Sequence, residues 1–395
     1  MVEDLPLLEI DPFDPAVLRD PYAFQKQLLA MPEVFWVQKY GTYGAARYET
    51  VKHVLNNWEH FSTARGVGLA DLSLPGAWRE PGPLIESDPP RHSQLRTAMT
   101  RVLSPKIIRS WRGYLEETAA NLLDRVFAQR EIDAVSDLTE SFIMAALPSI
   151  LGVDADRENL IVIGNHNFNT IGPANEIFQE TKAKLDAISA WYDGAASAEN
   201  MKPGGLGELV FKAEQEGAFE PGLAYSLVRS LLRGGFDTTI AGLGSTLLYL
   251  AKNPDQFALL KANPKLVGAA FEEALRLEPP SQTFFRTTTT NVELAGVPLK
   301  PGTKIQVWLA AANRDPSRWP EPDRFNIERD TMGVLTFGDG VHRCLGQMIA
   351  RLEADCFLTA FVNRVERLEL AGEPTFRLSN TLRTLDTLPL KVALH

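Results

Sequence analysis

Phe337-Gly338-Asp339-Gly340-Val341-His342-Arg343-Cys344-Leu345-Gly346 is the stretch from which the rest of the chain can be read. Two glycines and an aspartate stand four to six residues before a lone cysteine, a composition that makes a tight loop with exposed backbone N–H groups. Leu345 to Leu358 reads as a helix leaving that loop. The positive end of the helix dipole and the loop amides then favour the thiolate, which makes Cys344 a credible soft-metal ligand. The glycines let the loop lie flat against something broad and close. A single cysteine buried on a helix is the bland alternative, so the remainder of the chain has to decide.

At 395 residues the chain can bury a large core, and it reads as one domain over residues 1–395. Cys344 and Cys356 are its only cysteines, which excludes a disulfide framework and points to a reducing compartment. Met1 to Pro15 is acidic and carries prolines, with no apolar run for a signal peptide or membrane span, so a cytoplasmic protein without membrane contact is expected. A net charge of −10 argues against nucleic acid as partner. Inside this acidic chain Arg91, Arg96, Arg101, Lys106, Arg109 and Arg112 form a basic run, and Arg343 adjoins the cysteine. Such a run is either a solvated helical face or a surface that steers an acidic electron donor.

In order, the pattern predicts a helix at Tyr22–Met31, a hairpin from Val34–Gln38 and Tyr43–Tyr48 around Gly41, and a helix at Glu49–Asn57. Phe61 to Glu86 is rich in Gly and Pro, and an irregular segment of that length in a compact domain is usually functional. Asp88-Pro89-Pro90 opens the next helix, on which His92 and Arg96 are four apart and share a face. Helices follow at Ser104–Gln129, Ser136–Leu151, Arg157–Ile171 and Asn175–Ala198, the last two broken at Gly172-Pro173 beside Phe168 and Ile171. Pro221 to Lys252 is apolar on several faces, the mark of a helix through the middle of a protein. It carries Gly234-Gly235-Phe236-Asp237-Thr238, and two mid-helix glycines cost about 1 kcal/mol each, so something should compensate. Ser230, Gly234 and Thr238 share one face, with Arg229 beside them. A helix at Asn263–Leu277 bears Glu273 and Arg276, followed by Phe284-Phe285-Arg286, strands at Val292–Val297 and Thr303–Leu309, a proline-rich meander to Asn326, and strands in the tail from Leu368.

Taken together these stretches resemble the cytochrome P450 superfamily of haem-thiolate monooxygenases. The resemblance rests on five motifs in the family's order: the F-x-x-G-x-H-x-C-x-G loop, D-P-P-x-H-x-x-x-R at Asp88–Arg96, G-G-x-D-T at Gly234–Thr238, E-x-x-R at Glu273–Arg276, and P-D-R-F at Pro322–Phe325. It implies a mainly α fold with small β-sheets, holding haem b between a long distal helix and the cysteine-loop helix. Cys344 would be the axial iron ligand. His92, Arg96 and Arg286 would hold the propionates, with Phe337 and His342 in the cysteine loop. Gly234 and Gly235 would make room for dioxygen, and Asp237 and Thr238 would relay protons. Glu273, Arg276 and Arg324 would form a structural cluster.

The implied reaction inserts one atom of dioxygen into a C–H bond. With no flavin or nicotinamide fingerprint, an iron–sulfur ferredoxin and its NAD(P)H-dependent reductase are implied as electron donors. Arg65-Gly66-Val67-Gly68, Phe168-Asn169, Arg229-Ser230 and Gln282-Thr283-Phe284 are also similar to the bacterial subgroup that oxidises para-substituted benzoic acids such as 4-methoxybenzoate, by hydroxylation or O-demethylation. A flat aromatic acid suits aromatic walls at Phe168 and Phe284, with Ile171 and Gly234 nearby, and a cation or hydroxyl from Arg229, Ser230 or Arg65 at one end. The competing readings are a terpene or macrolide hydroxylase, favoured should Arg229 turn away, a peroxide-driven variant, which would not need Asp237 and Thr238, and a non-enzymatic haem carrier or gas sensor.

Overall fold

The computed structural model describes residues 5–128, 131–154 and 156–395; the predicted helix end at Gln129 and the first residues of the acidic N-terminal stretch lie outside these. At its centre runs the helix Leu223–Lys252, thirty residues and about 45 Å long at the α-helical rise. It starts after Gly222 in the left-handed conformation and stops at Asn253, because Pro254 cannot continue it and instead opens a short helix, Pro254–Ala262, that the sequence reading passed over. From Phe236 onward nearly every residue of the long helix is buried, which explains its lack of a polar face.

The proximal helix Gln347–Val362 follows the cysteine loop and packs under the long helix. Phe142, Phe236, Leu247, Phe357 and Phe361 belong to the main core around them, each such side chain contributing about 1.5–3 kcal/mol on burial. Ala134–Leu151 is apolar enough to cross a membrane, yet it is a core helix, mostly buried. It begins earlier than predicted, in a π-helical stretch Ala134–Glu140 capped by Asp133. The predicted helix Ser104–Gln129 is instead two, Pro105–Ser110 and Arg112–Val126, joined at Trp111.

A six-stranded sheet lies beside the helices, in the order Leu7–Leu8, Phe35–Val37, Thr42–Ala45, Lys304–Trp308, Thr283–Thr288 and Phe61–Ser62. Thr283–Thr288 pairs antiparallel with Lys304–Trp308, setting Arg286 opposite Ile305 and Thr287 opposite Lys304. The tail forms a second sheet, Val365–Leu370 with Pro389–Leu394 and Glu131–Asp133. Between its strands the chain reaches back to the lid, formed by the helix Arg157–Asn169 and the turn that follows it, and Asn380 clasps the end of that helix. The Asn380 backbone N–H donates to Asn169 Oδ1 at 2.8 Å, and its side-chain amide donates to the carbonyls of Asn169 and Pro173 at 3.1 and 3.2 Å.

Candidate active site

The cysteine loop is shaped by Gly338 and Gly340, both at positive φ, where a side chain is strained. A Cβ at Gly340 would also lie 2.9 Å from the Leu55 carbonyl. The Cys344 N–H donates to the Phe337 carbonyl at 2.7 Å, and the Arg351 guanidinium lies 4.6 Å from the Phe337 ring centre. Cys344 is exposed on the open side of this loop. The N–H groups of Gly346 and Gln347 face its sulfur and, with Arg96 and Arg351, draw the thiol down, but the dense surroundings outweigh them and its pKa is raised.

Four basic side chains converge beside this loop. The rings of His92 and His342 are 4.3 Å apart. His92 is 1 % exposed, neither ring nitrogen has a partner, and burial followed by the charges of His342 and Arg96 pushes its pKa down to about 4. Arg286 is 5 % exposed, with Nε unpartnered and one Nη1 bond to the carbonyl of Phe285, and burial pushes it down to about 10. Arg96, half-buried, is lowered by the same cause while it senses Cys344. Asp88 offsets this charge only in part: one carboxylate stands against four basic side chains, it also accepts from Ser62 and Thr63, and its nearest imidazole contact, to His342, is 3.9 Å. Buried nitrogens left without partners are costly. Here they suit a dianion, and the two propionates of haem b beside a cysteine sulfur meet that description.

The long helix carries the second group of residues. Gly234 is exposed, and a Cβ there meets nothing within 4 Å. Gly235 behaves differently: its Cβ would lie 2.7 Å from Leu147 Cδ2, so this glycine serves helix packing against Ser141–Leu151 rather than the open groove. Thr238 Oγ1 donates to the Gly234 carbonyl at 2.8 Å, the back-bond that loosens a helix turn. Asp237 is 3 % exposed and leans on Gly164 of the lid helix Arg157–Asn169, with Oδ2 unpartnered. Burial pushes its carboxyl up to about 7, moderated by Arg377 and reinforced by Glu140. Those two are themselves joined at 3.3 Å, and Arg377 donates to Asn165 at 2.8 Å.

Phe168 and Ile171 meet Phe284, Phe285, Leu382 and Phe13 in one apolar cluster, so the lid, the central sheet and both chain ends contribute to it. The cations named for the acid end are placed elsewhere. Arg65 is ion-paired with Asp71. Arg229 Nη1 lies 3.0 Å from Asp193, and its guanidinium stacks 3.9 Å from the Tyr192 ring centre. Its neighbour one turn on, Arg233, donates to Ser230 Oγ at 3.4 Å and has no carboxylate partner among the described residues. The signal for Arg233 was its i+3 spacing from Ser230.

Arg276 donates two buried hydrogen bonds to the Glu273 carboxylate, from Nε at 2.8 Å and Nη2 at 2.9 Å. The third member is Arg329, whose Nε is 3.0 Å from Glu273, and not Arg324, which is exposed, pairs with Glu321 and offers only its carbonyl to Arg276. In the basic run Arg96 turns inward, Arg91 pairs with Glu220 and Arg112 with Asp355, leaving Arg101, Lys106 and Arg109 exposed.

The family model described as Cytochrome P450 matches residues 171–380. The chain is 41% identical over 390 residues to cytochrome p450 CYP199A2 of Rhodopseudomonas palustris, covering 98% of this chain and 95% of that one. It is 30% identical to a beta-dihydromenaquinone-9 omega-hydroxylase of Mycobacterium tuberculosis, covering 98% and 79%. Among solved structures, cytochrome P450 CYP109Q5 from Chondromyces apiculatus superposes with a TM-score of 0.81 at 31% identity, covering 98% of both chains. Matched over nearly its whole length at that identity, and built around a cysteine loop facing a glycine-bearing distal helix, the chain belongs to the cytochrome P450 family of haem b monooxygenases.

Proposed function

We propose that the chain acts as one haem-binding unit that oxidises a small aromatic carboxylic acid, by hydroxylation or O-demethylation of a para-substituted benzoate such as 4-methoxybenzoate. When bound through Cys344, haem supplies the activation of dioxygen. His92, Arg96 and Arg286 hold its carboxylates, and Phe337, His342 and Gly234 border it. Asp237 holds a proton at the edge of the groove, and the Thr238 hydroxyl stands next to it in the chain. Phe168, Ile171 and Phe284 wall the aromatic ring and exclude water.

The observation that carries the acid reading is the pairing of Arg233 with Ser230, one turn before the open face of Gly234. The Ser230 hydroxyl already donates to the Ser226 carbonyl at 2.8 Å, so the Arg233 guanidinium, without a carboxylate partner among the described residues, is the group that suits an anionic head group. Titration of the ferric protein with 4-methoxybenzoate tests it: a low-spin to high-spin shift is expected, and no shift at saturating ligand overturns it. A larger apolar substrate of terpene or macrolide type is the second reading, and it is favoured by the engagement of Arg229 with Asp193.

Electrons come from an iron–sulfur ferredoxin and its NAD(P)H-dependent reductase in the cytoplasm on this reading. Exposed Lys106 and Arg109, on a helix packed against the proximal helix, and Arg101 at the end of the helix before it support an acidic donor docking there.

A further inference from the structure

Lys304 opens the central strand Lys304–Trp308, and its ammonium reaches out of the sheet into the irregular segment after Phe61. Nζ donates to the carbonyls of Ala70 at 2.8 Å, Gly68 at 2.9 Å and Arg65 at 3.4 Å, which uses all three of its donors. Three carbonyl oxygens of one turn, brought to one point, repel each other unless a cation lies between them. No carboxylate competes for that cation: Asp71 is paired with Arg65, and Glu86 with Arg79. Burial lowers the ammonium to about 8, so at neutral pH it remains the charged form that the carbonyls need.

The turn that Lys304 gathers is the one that fixes the roof. Leu69 N–H donates to the Ile171 carbonyl at 2.8 Å, and Phe285 N–H donates to the Val67 carbonyl at 2.9 Å. Gly68 lies against Ile171 so closely that a Cβ would be 2.7 Å from its carbonyl oxygen. A continuous series of bonds therefore runs from a rigid strand through residues 65–70 to the lid turn that bears Ile171, next to Phe168.

We propose that Lys304 is a positioning residue for the substrate cavity, holding the Arg65–Ala70 turn by its carbonyls and so setting where Ile171 stands over the bound ligand. It makes no contact with haem or substrate and acts through the backbone. The inference rests on the cavity assignment above only for its ligand readout; the backbone readout is independent of it.

The test uses full-length ferric haem protein carrying Lys304→Met, which keeps the stem and removes the charge. Amides of Gly66, Leu69, Leu72 and Phe285, bonded to the carbonyls of Thr63, Ile171, Arg65 and Val67, are expected to exchange at least about tenfold faster, while amides of Phe35–Val37 in the same sheet keep wild-type rates. The Kd for 4-methoxybenzoate is expected to rise about tenfold, with imidazole, which needs only the iron, bound within about twofold of wild type. Lys304→Arg should recover part of both effects. Gly68→Ala, which leaves Lys304 in place and pushes the same turn off Ile171, should reproduce the ligand discrimination if Lys304→Met gives no folded protein. Wild-type exchange at Leu69 in Lys304→Met, or equal loss of 4-methoxybenzoate and imidazole, overturns the proposal. Should wild-type protein itself ignore 4-methoxybenzoate, the substrate reading fails and the exchange rates alone decide the role of Lys304.

Discussion

Arg229 and Asp193 form an ion pair, Nη1 to Oδ1 at 3.0 Å, that ties the long helix to the short helix Ser189–Ala195 above it. The Arg229 guanidinium is thus already occupied, by Asp193 and by the Tyr192 ring. Arg229→Ala is therefore expected to leave the Kd for a benzoate within about threefold of wild type, whereas Arg233→Leu should raise it about ten- to a hundredfold by removing a charge-assisted bond. Spectral titration of both variants measures the contrast, and the reverse order would return Arg229 to the acid end.

Asp237 has its carboxyl raised to about 7 against an ordinary 3.8. Below pH 7 it holds its proton and can donate it; above, it is a carboxylate, and a rate limited by this donor falls about tenfold per pH unit. Substrate-dependent oxygen consumption with electron donors added in excess should show this descending limb. Asp237→Asn should lower the rate about 10²- to 10⁴-fold and flatten the limb.

Glu353, on the proximal helix, is buried against Thr239 of the long helix with Oε1 unpartnered, and burial raises it from 4.5 to about 8. Between those values the unfolded chain has lost the proton and the folded chain keeps it. Folding therefore loses stability as pH rises, to an upper bound of about 5 kcal/mol at pH 8. Glu353→Gln should melt above wild type at pH 8 and close to it at pH 5, read by thermal unfolding at the two values.

Arg329 and Arg324 differ in what their loss should cost. Arg329→Ala leaves a wholly buried carboxylate one partner short, for about 3 kcal/mol. Arg324→Ala removes an exposed pair with Glu321, for under about 1 kcal/mol. Denaturant midpoints on the two variants separate the assignments.

The sequence made the cysteine loop, the His92–Arg96 face and the long helix legible because each depends on neighbours within about one helical turn. The chosen partners were legible only where spacing forces them. Glu273 and Arg276 are three apart on one helix and found each other, but the third seat depends on how the meander folds, and Arg329 and Arg324 are both near enough in sequence to fill it. Gly235 read like Gly234, and only the position of Leu147 separates packing from open space. Arg65 and Arg229 carry the charge and lie in the stretches similar to the benzoate-oxidising subgroup, but their carboxylates, Asp71 and Asp193, lie on segments whose approach no local pattern announces.

Asn380 fastens one wall of the apolar cluster from the far end of the chain. Its three bonds to Asn169 and Pro173, worth about 1 kcal/mol each, fix the end of the helix that carries Phe168 and the turn that carries Ile171. The placement of that wall is therefore set by a residue 211 positions beyond Asn169 in sequence, independently of what fills the space beneath it.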